Sequence, residues 1–254
     1  MPRTLKGKVA LVTGASSGLG RASALTFARE GAKIVVADID AKGGKETVQM
    51  IEKAGGEALF VKTDVSKEDE VEAMVNKAVQ TYGRLDCVHN DVGIEELPTP
   101  FTERTEEQWN RVLDVNLKGS FLCMKHEIKY MVNQGGGAIV NTSSIFGLTG
   151  SPGLAAYTAS KHGIIGLTKA AAAEFGRVGI RVNCVCPGGM RGTAMYNRIV
   201  AANPEIPDMV REANPMGRDG EPEEVAEAVV WLCSDAASYV NGHAMSIDGG
   251  FAVV

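Results

Sequence analysis

No apolar run in this 254-residue chain approaches the roughly 18 consecutive residues a membrane helix needs, so a helical span is not expected. Basic charge is not in excess either. With 26 Lys and Arg against 31 Asp and Glu the formal net charge is -5, without the clustered footprint that nucleic acid requires. Cysteine is sparse, five in all, an odd number with no paired framework, which fits a reducing compartment. Cys184 and Cys186 stand two apart in an apolar run, hence on one face of a strand. Zinc would need two further ligands at workable spacing and none is nearby, so buried thiols are expected. The opening residues Met1-Pro2-Arg3-Thr4-Leu5-Lys6-Gly7-Lys8 lack the apolar stretch and cleavage site of a secretion signal. The expected compartment is therefore cytoplasmic. Linkers, repeats and low-complexity segments are also missing.

What is present is strand-helix alternation along the whole length. Short β-branched runs at 8–13, 33–37, 58–62, 87–89, 138–142, 181–185 and 244–247 read as strands buried on both faces. Between them lie helical patterns with recognisable starts. Ser66-Lys67-Glu68-Asp69 and Thr105-Glu106-Glu107-Gln108 have capping-box spacing, the second opening a long helix through Trp109, Val112, Val115 and Leu122. Gly55-Gly56 and Gly83 stop helices, and Pro222 starts a late one over 223–232. The expected fold is α/β: one Rossmann-type, doubly wound parallel sheet with helices on both faces, a single domain over 1–254. Residues 188–220 form the one long irregular region, expected to act as a substrate loop or lid.

Thr13-Gly14-Ala15-Ser16-Ser17-Gly18-Leu19-Gly20 joins the first strand to the first helix. Glycines there let the backbone turn and approach a pyrophosphate, and the helix start offers unpaired N–H groups. The spacing departs from G-x-G-x-x-G, and on its glycines alone an ordinary turn reads equally well. Asp38 decides between them. It ends the second strand about 20 residues on, where a carboxylate accepts ribose hydroxyls and repels a 2′-phosphate. Neither Ala15 nor Ile39 supplies a basic group for that phosphate, so NAD is the expected cofactor. Asp64-Val65 and Asn90-Asp91-Val92-Gly93 end the next two strands, Asp64 in reach of an adenine amino group and Gly93 leaving room for a ribose.

Tyr157 and Lys161 are four apart on one helix face. A phenol with pKa near 10 is a poor base, and a neighbouring cation lowers that value, allowing proton exchange with an alcohol. A solvated pair at this spacing is common, so its meaning depends on company. Ser144 ends the 138–142 strand at the same sheet edge. Asn116 interrupts an apolar helix, where a buried amide needs a partner such as a water leading to Lys161. Pro187-Gly188 closes the nicotinamide side.

With Thr13-Gly14-x-x-x-Gly18-x-Gly20, Asn90-x-x-Gly93, Asn116, Ser144, Tyr157-x-x-x-Lys161, Pro187-Gly188 and Asp248-Gly249-Gly250, the chain resembles the short-chain dehydrogenases/reductases over nearly its whole length. The resemblance implies Tyr157 as acid/base and Lys161 as both its pKa-lowering neighbour and a ribose ligand. It implies Ser144 as carbonyl holder, Asn116 as a water holder, and a homotetramer built through the Asn116 and Tyr157 helices and the last strand. Two loops depart from the family pattern. Asp91-Val92 stands for Asn-Ala, losing an amide donor and gaining a charge. Gly192 stands where a carboxamide-binding Thr is usual, with Thr193 expected to substitute.

The expected cofactor set is Gly14, Ser16, Ser17, Gly18, Leu19, Gly20, Asp38, Ile39, Asp64, Val65, Asn90, Val92, Gly93, Tyr157, Lys161, Pro187, Gly188, Met190 and Thr193. Substrate is expected against Ser144, Phe146, Leu154, Tyr157, Met195 and Tyr196, an apolar set suited to a hydrophobic or cyclic alcohol or ketone. Glu95 and Glu96 would instead suit a sugar or polyol. Two other readings stand beside this one. A 3-oxoacyl-carrier-protein reductase is disfavoured by Asp38, since those enzymes resemble NADPH users. A non-catalytic NAD-sensing regulator should have lost Ser144, Tyr157 or Lys161, and none is lost.

Overall fold

The structure is a computed structural model describing residues 4–202 and 204–253. Met1–Arg3, part of the stretch read above for a leader, and Asn203 in the 188–220 segment lie outside the described residues.

The apolar runs form strands because their side chains serve two faces at once. In β1 (Val9–Thr13), Val9 and Leu11 enter one hydrophobic cluster, Ala10 and Val12 the other. In β2 (Lys33–Asp38) the same alternation separates Val35 and Ala37 from Ile34 and Val36. With β3 (Ala58–Lys62), β4 (Cys87–Asn90), β5 (Gly137–Thr142), β6 (Ile180–Pro187) and β7 (Ala244–Ile247) they form a seven-stranded sheet in the order β3-β2-β1-β4-β5-β6-β7. Every pairing is parallel, so each connection crosses over, and helices supply the crossovers.

One face carries α3 (Glu68–Tyr82), α5 (Gly119–Gln134) and α6 (Ala155–Phe175), through Met74, Leu122, Met131 and Ala172. The other carries α1 (Gly18–Arg29), α2 (Ala41–Lys53) and α9 (Pro222–Cys233), through Phe27, Ile51, Val229 and Leu232. Burying a side chain such as Phe27 contributes about 1.5–3 kcal/mol. Among the described residues no helix is long and apolar enough to cross a membrane. All five cysteines are free and buried, and no metal-holding cluster occurs among the described residues.

Two expectations need correction. Ser66 does not cap α3: its hydroxyl donates to Asp64 Oδ1 at 2.7 Å, and the N-cap residue is Lys67, whose side chain makes no capping bond. Asp64 outcompetes the helix for that hydroxyl. The Thr105 box does form and opens α4 (Glu106–Leu113), which runs without a break through a π-turn over Asp114–Lys118 into α5, so the expected long helix is present. The 188–220 segment is not irregular either. It contains α7 (Ala194–Ala202) and α8 (Ile206–Ala213), with Met190 bridged to Gly220 at its base.

The sheet reverses direction of growth between β1 and β4, where Thr13 pairs with Asn90. Asn90 pairs in turn with Asn141, and Thr142 with Val185, so the carboxyl ends of the central strands open on one crevice.

Candidate active site

The β1–α1 loop is a cradle that only glycine can form. Gly14 and Gly18 have φ of +71° and +55°, and a Cβ on Gly20 would lie 2.3 Å from the Gly14 carbonyl oxygen. The N-cap residue Ser17 makes no side-chain bond, so the 12-residue helix α1 presents its first N–H groups and dipole to the crevice. Asp38 stands beside them, Oδ2 accepting the Ser16 N–H and Oδ1 that of Asp40, both at 2.9 Å. These residues fit a dinucleotide.

The neighbouring positions vary in how they meet it. Ile39 is exposed and Val65 buried, while Asp64 already accepts both the N–H and the hydroxyl of Ser66. Val92 backs onto the cradle through its main chain, 3.1 Å from a Gly14 Cβ. Gly93 lies under Lys161 Nζ, 3.3 Å from where its Cβ would be. Gly188 packs against Asp248 beyond Pro187. Asn90 is turned away, its amide donating to Glu127 Oε2 at 3.0 Å and Asn141 Oδ1 at 3.1 Å, which leaves only its main chain to the crevice. Met190 is packed in the core beneath the sheet. Thr193 does approach the cradle, 3.6 Å from a Gly18 Cβ, but its hydroxyl donates to the Met190 carbonyl and caps α7 at Tyr196 N–H.

Tyr157, Lys161 and Ser144 come together as the spacing implied. The Ser144 hydroxyl is near enough to the phenol to lower its pKa and accepts the Phe146 N–H at 3.2 Å. Lys161 Nζ lies 5.5 Å from the centroid of the Tyr157 ring and donates to the Thr142 carbonyl at 2.9 Å. Burial pushes Tyr157 up to about 12, the Ser144 hydroxyl pulling the other way. Burial also moves Lys161 down to about 8, opposed by the charge of Asp91.

Asn116 has protein partners where a water was expected. Its Oδ1 accepts the Ile94 N–H at 2.8 Å and its Nδ2 donates to the Ile94 carbonyl at 3.0 Å and to Ser160 Oγ at 3.2 Å. The amide thus splints the β4 exit to α6.

Phe146, Leu154 and Met195 do line one apolar wall with Tyr157, joined by Ile94, Trp109 and Val112. Tyr196 does not join it, since its hydroxyl donates to Asp219 Oδ2 at 2.7 Å. The glutamates are occupied too. Glu95 pairs with Arg198 of α7, and Glu96 Oε1 accepts the Tyr157 N–H at 3.0 Å while Oε2 meets Arg104 Nη1 at 2.6 Å.

Two residues escaped sequence reasoning. Arg104, buried against Glu96 and donating to the Gly153 carbonyl at 2.8 Å, has no local signal. Arg21 of α1 points back at the cradle, its guanidinium bound to the Ser16 carbonyl and at 3.2 Å to that of Gly43. The helical spacing from Gly18 was the one clue to it.

A buried tyrosine, lysine and serine at the edge of a cradle that fits a dinucleotide is the arrangement of a nicotinamide-dependent oxidoreductase. Comparison with known proteins narrows this. The family described as enoyl-(acyl carrier protein) reductase matches residues 14–252. The 2,5-dichloro-2,5-cyclohexadiene-1,4-diol dehydrogenase of Sphingobium indicum is 39% identical over 251 residues, covering 98% of this chain and 99% of that protein. The crystal structure of levodione reductase superposes with a TM-score of 0.95 at 38% identity, over 98% of this chain and 99% of the other. That of 3-ketoacyl-(acyl-carrier-protein) reductase from Brucella melitensis complexed with NADH gives 0.91 at 34%, again over 98% and 99%. The chain belongs to the short-chain dehydrogenase/reductase family.

Proposed function

We propose that the chain interconverts a hydrophobic or cyclic secondary alcohol and its ketone, with NAD as cofactor. The observation that carries the substrate class is the wall of Ile94, Trp109, Val112, Phe146, Leu154 and Met195 around the Tyr157 ring. An apolar ring fits such a wall, whereas a polyol would leave its hydroxyls unpaired there. Glu95 and Glu96, the groups that favoured a sugar, are spent on Arg198 and on Tyr157 N–H. The named substrate of the Sphingobium relative, a cyclohexadiene diol, supports the same class.

NAD over NADP rests on Asp38 at the Ser16 N–H and on Arg21, whose guanidinium is already bound to main-chain carbonyls and to Glu46. Asp38 does not by itself argue against a carrier-protein reductase, because the Brucella structure of that name holds NADH.

The nicotinamide, when bound, supplies or accepts the hydride. Tyr157 donates its phenol proton to the carbonyl oxygen in reduction and takes it from the alcohol in oxidation. Ser144 Oγ, beside the phenol, holds that oxygen, and Lys161 at the same edge holds the ribose. A water relay at Asn116 would hang from its main-chain carbonyl, which the Ser120 hydroxyl meets at 2.6 Å, because the amide is taken. Thr193, with its hydroxyl committed to α7, contributes chiefly shape beside the cradle. The helices α7 and α8 form the lid, latched to the β4 exit by Arg198 and Glu95. Assembly into four copies through α5 and α6 and the β7 edge belongs to the same reading, supported by exposed Phe121 on α5, and a cytoplasmic setting accords with the buried thiols.

The test is absorbance from NADH when purified protein meets NAD and a panel containing cyclohexanol, a linear secondary alcohol, a sugar alcohol and a 3-hydroxyacyl thioester. Cyclic alcohols should give the highest kcat/KM, and NADP should serve poorly. Tyr157→Phe should cut kcat about 10²–10⁴-fold while retaining NADH binding. Turnover confined to the sugar alcohol or the thioester would refute the substrate class.

A further inference from the structure

Among the described residues Asp91 is the carboxyl joined to Lys161 through Thr142, at a position where the family pattern has an amide. It is pinned from three sides. Its N–H donates to Thr13 Oγ1 at 3.2 Å, its carboxylate faces the Gly20 N–H in the first turn of α1, and Oδ1 accepts the Thr142 hydroxyl at 2.6 Å. Thr142 is a bridge: its hydroxyl meets Asp91 and its carbonyl holds the ammonium of Lys161 at 2.9 Å. Lys161 is almost wholly buried, and that carbonyl is its one hydrogen-bond acceptor among the described residues. A buried ammonium needs a countercharge, and Asp91 provides it.

The hydrogen-bond chain has a direction. His89 Nε2 lies 2.8 Å from Thr142 Oγ1, and His89 is held neutral, its pKa pushed down to about 3 by burial. Thr142 has one proton to give. With Asp91 ionised, Thr142 donates to it and His89 donates to Thr142, leaving His89 Nδ1 as a bare acceptor without a partner. With a proton on Asp91 Oδ1 the chain would reverse and Nδ1 would carry an unpaired buried proton, whereas a proton on Oδ2 leaves the chain as it stands. Orphaned donors are the rarer and costlier defect, so the network disfavours a proton on Oδ1, while burial raises the carboxyl to about 7. The other charged or titratable groups facing this centre are Asp38 from β2, Tyr157 from α6, and the thiols Cys184 and Cys186 from β6.

We propose that Asp91 is a positioning residue that neutralises Lys161 and thereby makes the site prefer the oxidised, cationic nicotinamide over the reduced one. The proposal rests on the nicotinamide reading of the cradle. Without the carboxylate, Lys161 would face the oxidised ring as an unbalanced positive charge. Asp91 touches no reacting atom and acts only through Thr142 and Lys161.

The experiment is equilibrium binding of NAD and of NADH to wild type and Asp91→Asn, by calorimetry and fluorescence. The ratio Kd(NAD)/Kd(NADH) should rise about tenfold in the variant, the factor equivalent to one pKa unit of interaction. A merely structural role would weaken both ligands together and leave the ratio unchanged, which overturns the proposal. Wild type gives a second reading should the variant fail to fold. Its ratio should climb as pH falls from 7 to 6, where Lys161, near 8, is already charged and a carboxylate pushed up to about 7 takes up its proton. A ratio flat with pH overturns the proposal equally. Binding of neither nucleotide to wild type would instead sink the cofactor reading on which it stands.

Discussion

At the scale of single residues, the proton economy of the site follows from burial. The phenol of Tyr157, pushed up to about 12, stays protonated at neutral pH and is ready to give a proton to a ketone. Oxidation needs the phenolate, so its rate depends on a scarce form. The signs follow: kcat/KM for alcohol oxidation should climb steadily from pH 6 to 9, while ketone reduction holds level or declines as Lys161, near 8, loses its charge. Initial rates in both directions over that range check this, and an oxidation optimum near pH 7 would contradict it. Tyr157, Lys161 and Ser144 were legible because periodicity places them on one edge and the glycine loop, Asn116 and Pro187-Gly188 stand with them. The partners of Asn116 were not, because Ile94 lies across the crevice on a segment with no periodic signal.

At the scale of elements, α6 illustrates how far sequence reading reaches. Its N-terminus, which sets the height of Tyr157, has no capping side chain of its own on Leu154. Glu96 supplies the cap from 61 residues away in sequence, and Arg104 fixes Glu96. A cap three residues off, as at Thr105, can be read locally, while one delivered by another loop cannot. Breaking a buried pair leaves an uncompensated charge, so Arg104→Met should cost about 3–5 kcal/mol, measured as a lower urea midpoint. Glu96→Gln keeps an acceptor for the Tyr157 N–H and should cost less stability than Glu96→Ala. The helices α7 and α8 were missed for a related reason: prolines and polar residues punctuate 188–220, and its helices are short.

At the scale of the whole molecule, the sheet was legible from end to end because every central strand is buried on both faces and reads as an unbroken apolar run. The polar interior of that sheet was not. Glu127 of α5 is fully buried, bound by Asn90, and burial pushes its pKa up to about 8. A carboxyl whose folded pKa exceeds its unfolded value binds its proton more tightly when folded. Its contribution to stability is therefore intact below the unfolded pKa and is lost as pH rises from there through about 8. Glu127→Gln should match wild type at pH 5 and exceed it at pH 9 by on the order of 1 kcal/mol or more, from urea midpoints at the two values.

The strand order also governs how the chain reaches this state. β1 pairs with β2 on one side, but its other edge waits for β4, which begins at Cys87. At about 5–20 residues per second of synthesis, that edge stays open for several seconds as the ribosome works. Pairing over such separations carries a loop-closure penalty that slows collapse to the native topology. The crevice therefore cannot form until β4 and the strands beyond it have emerged, and a nascent chain halted before β4 would carry a complete first crossover but no crevice.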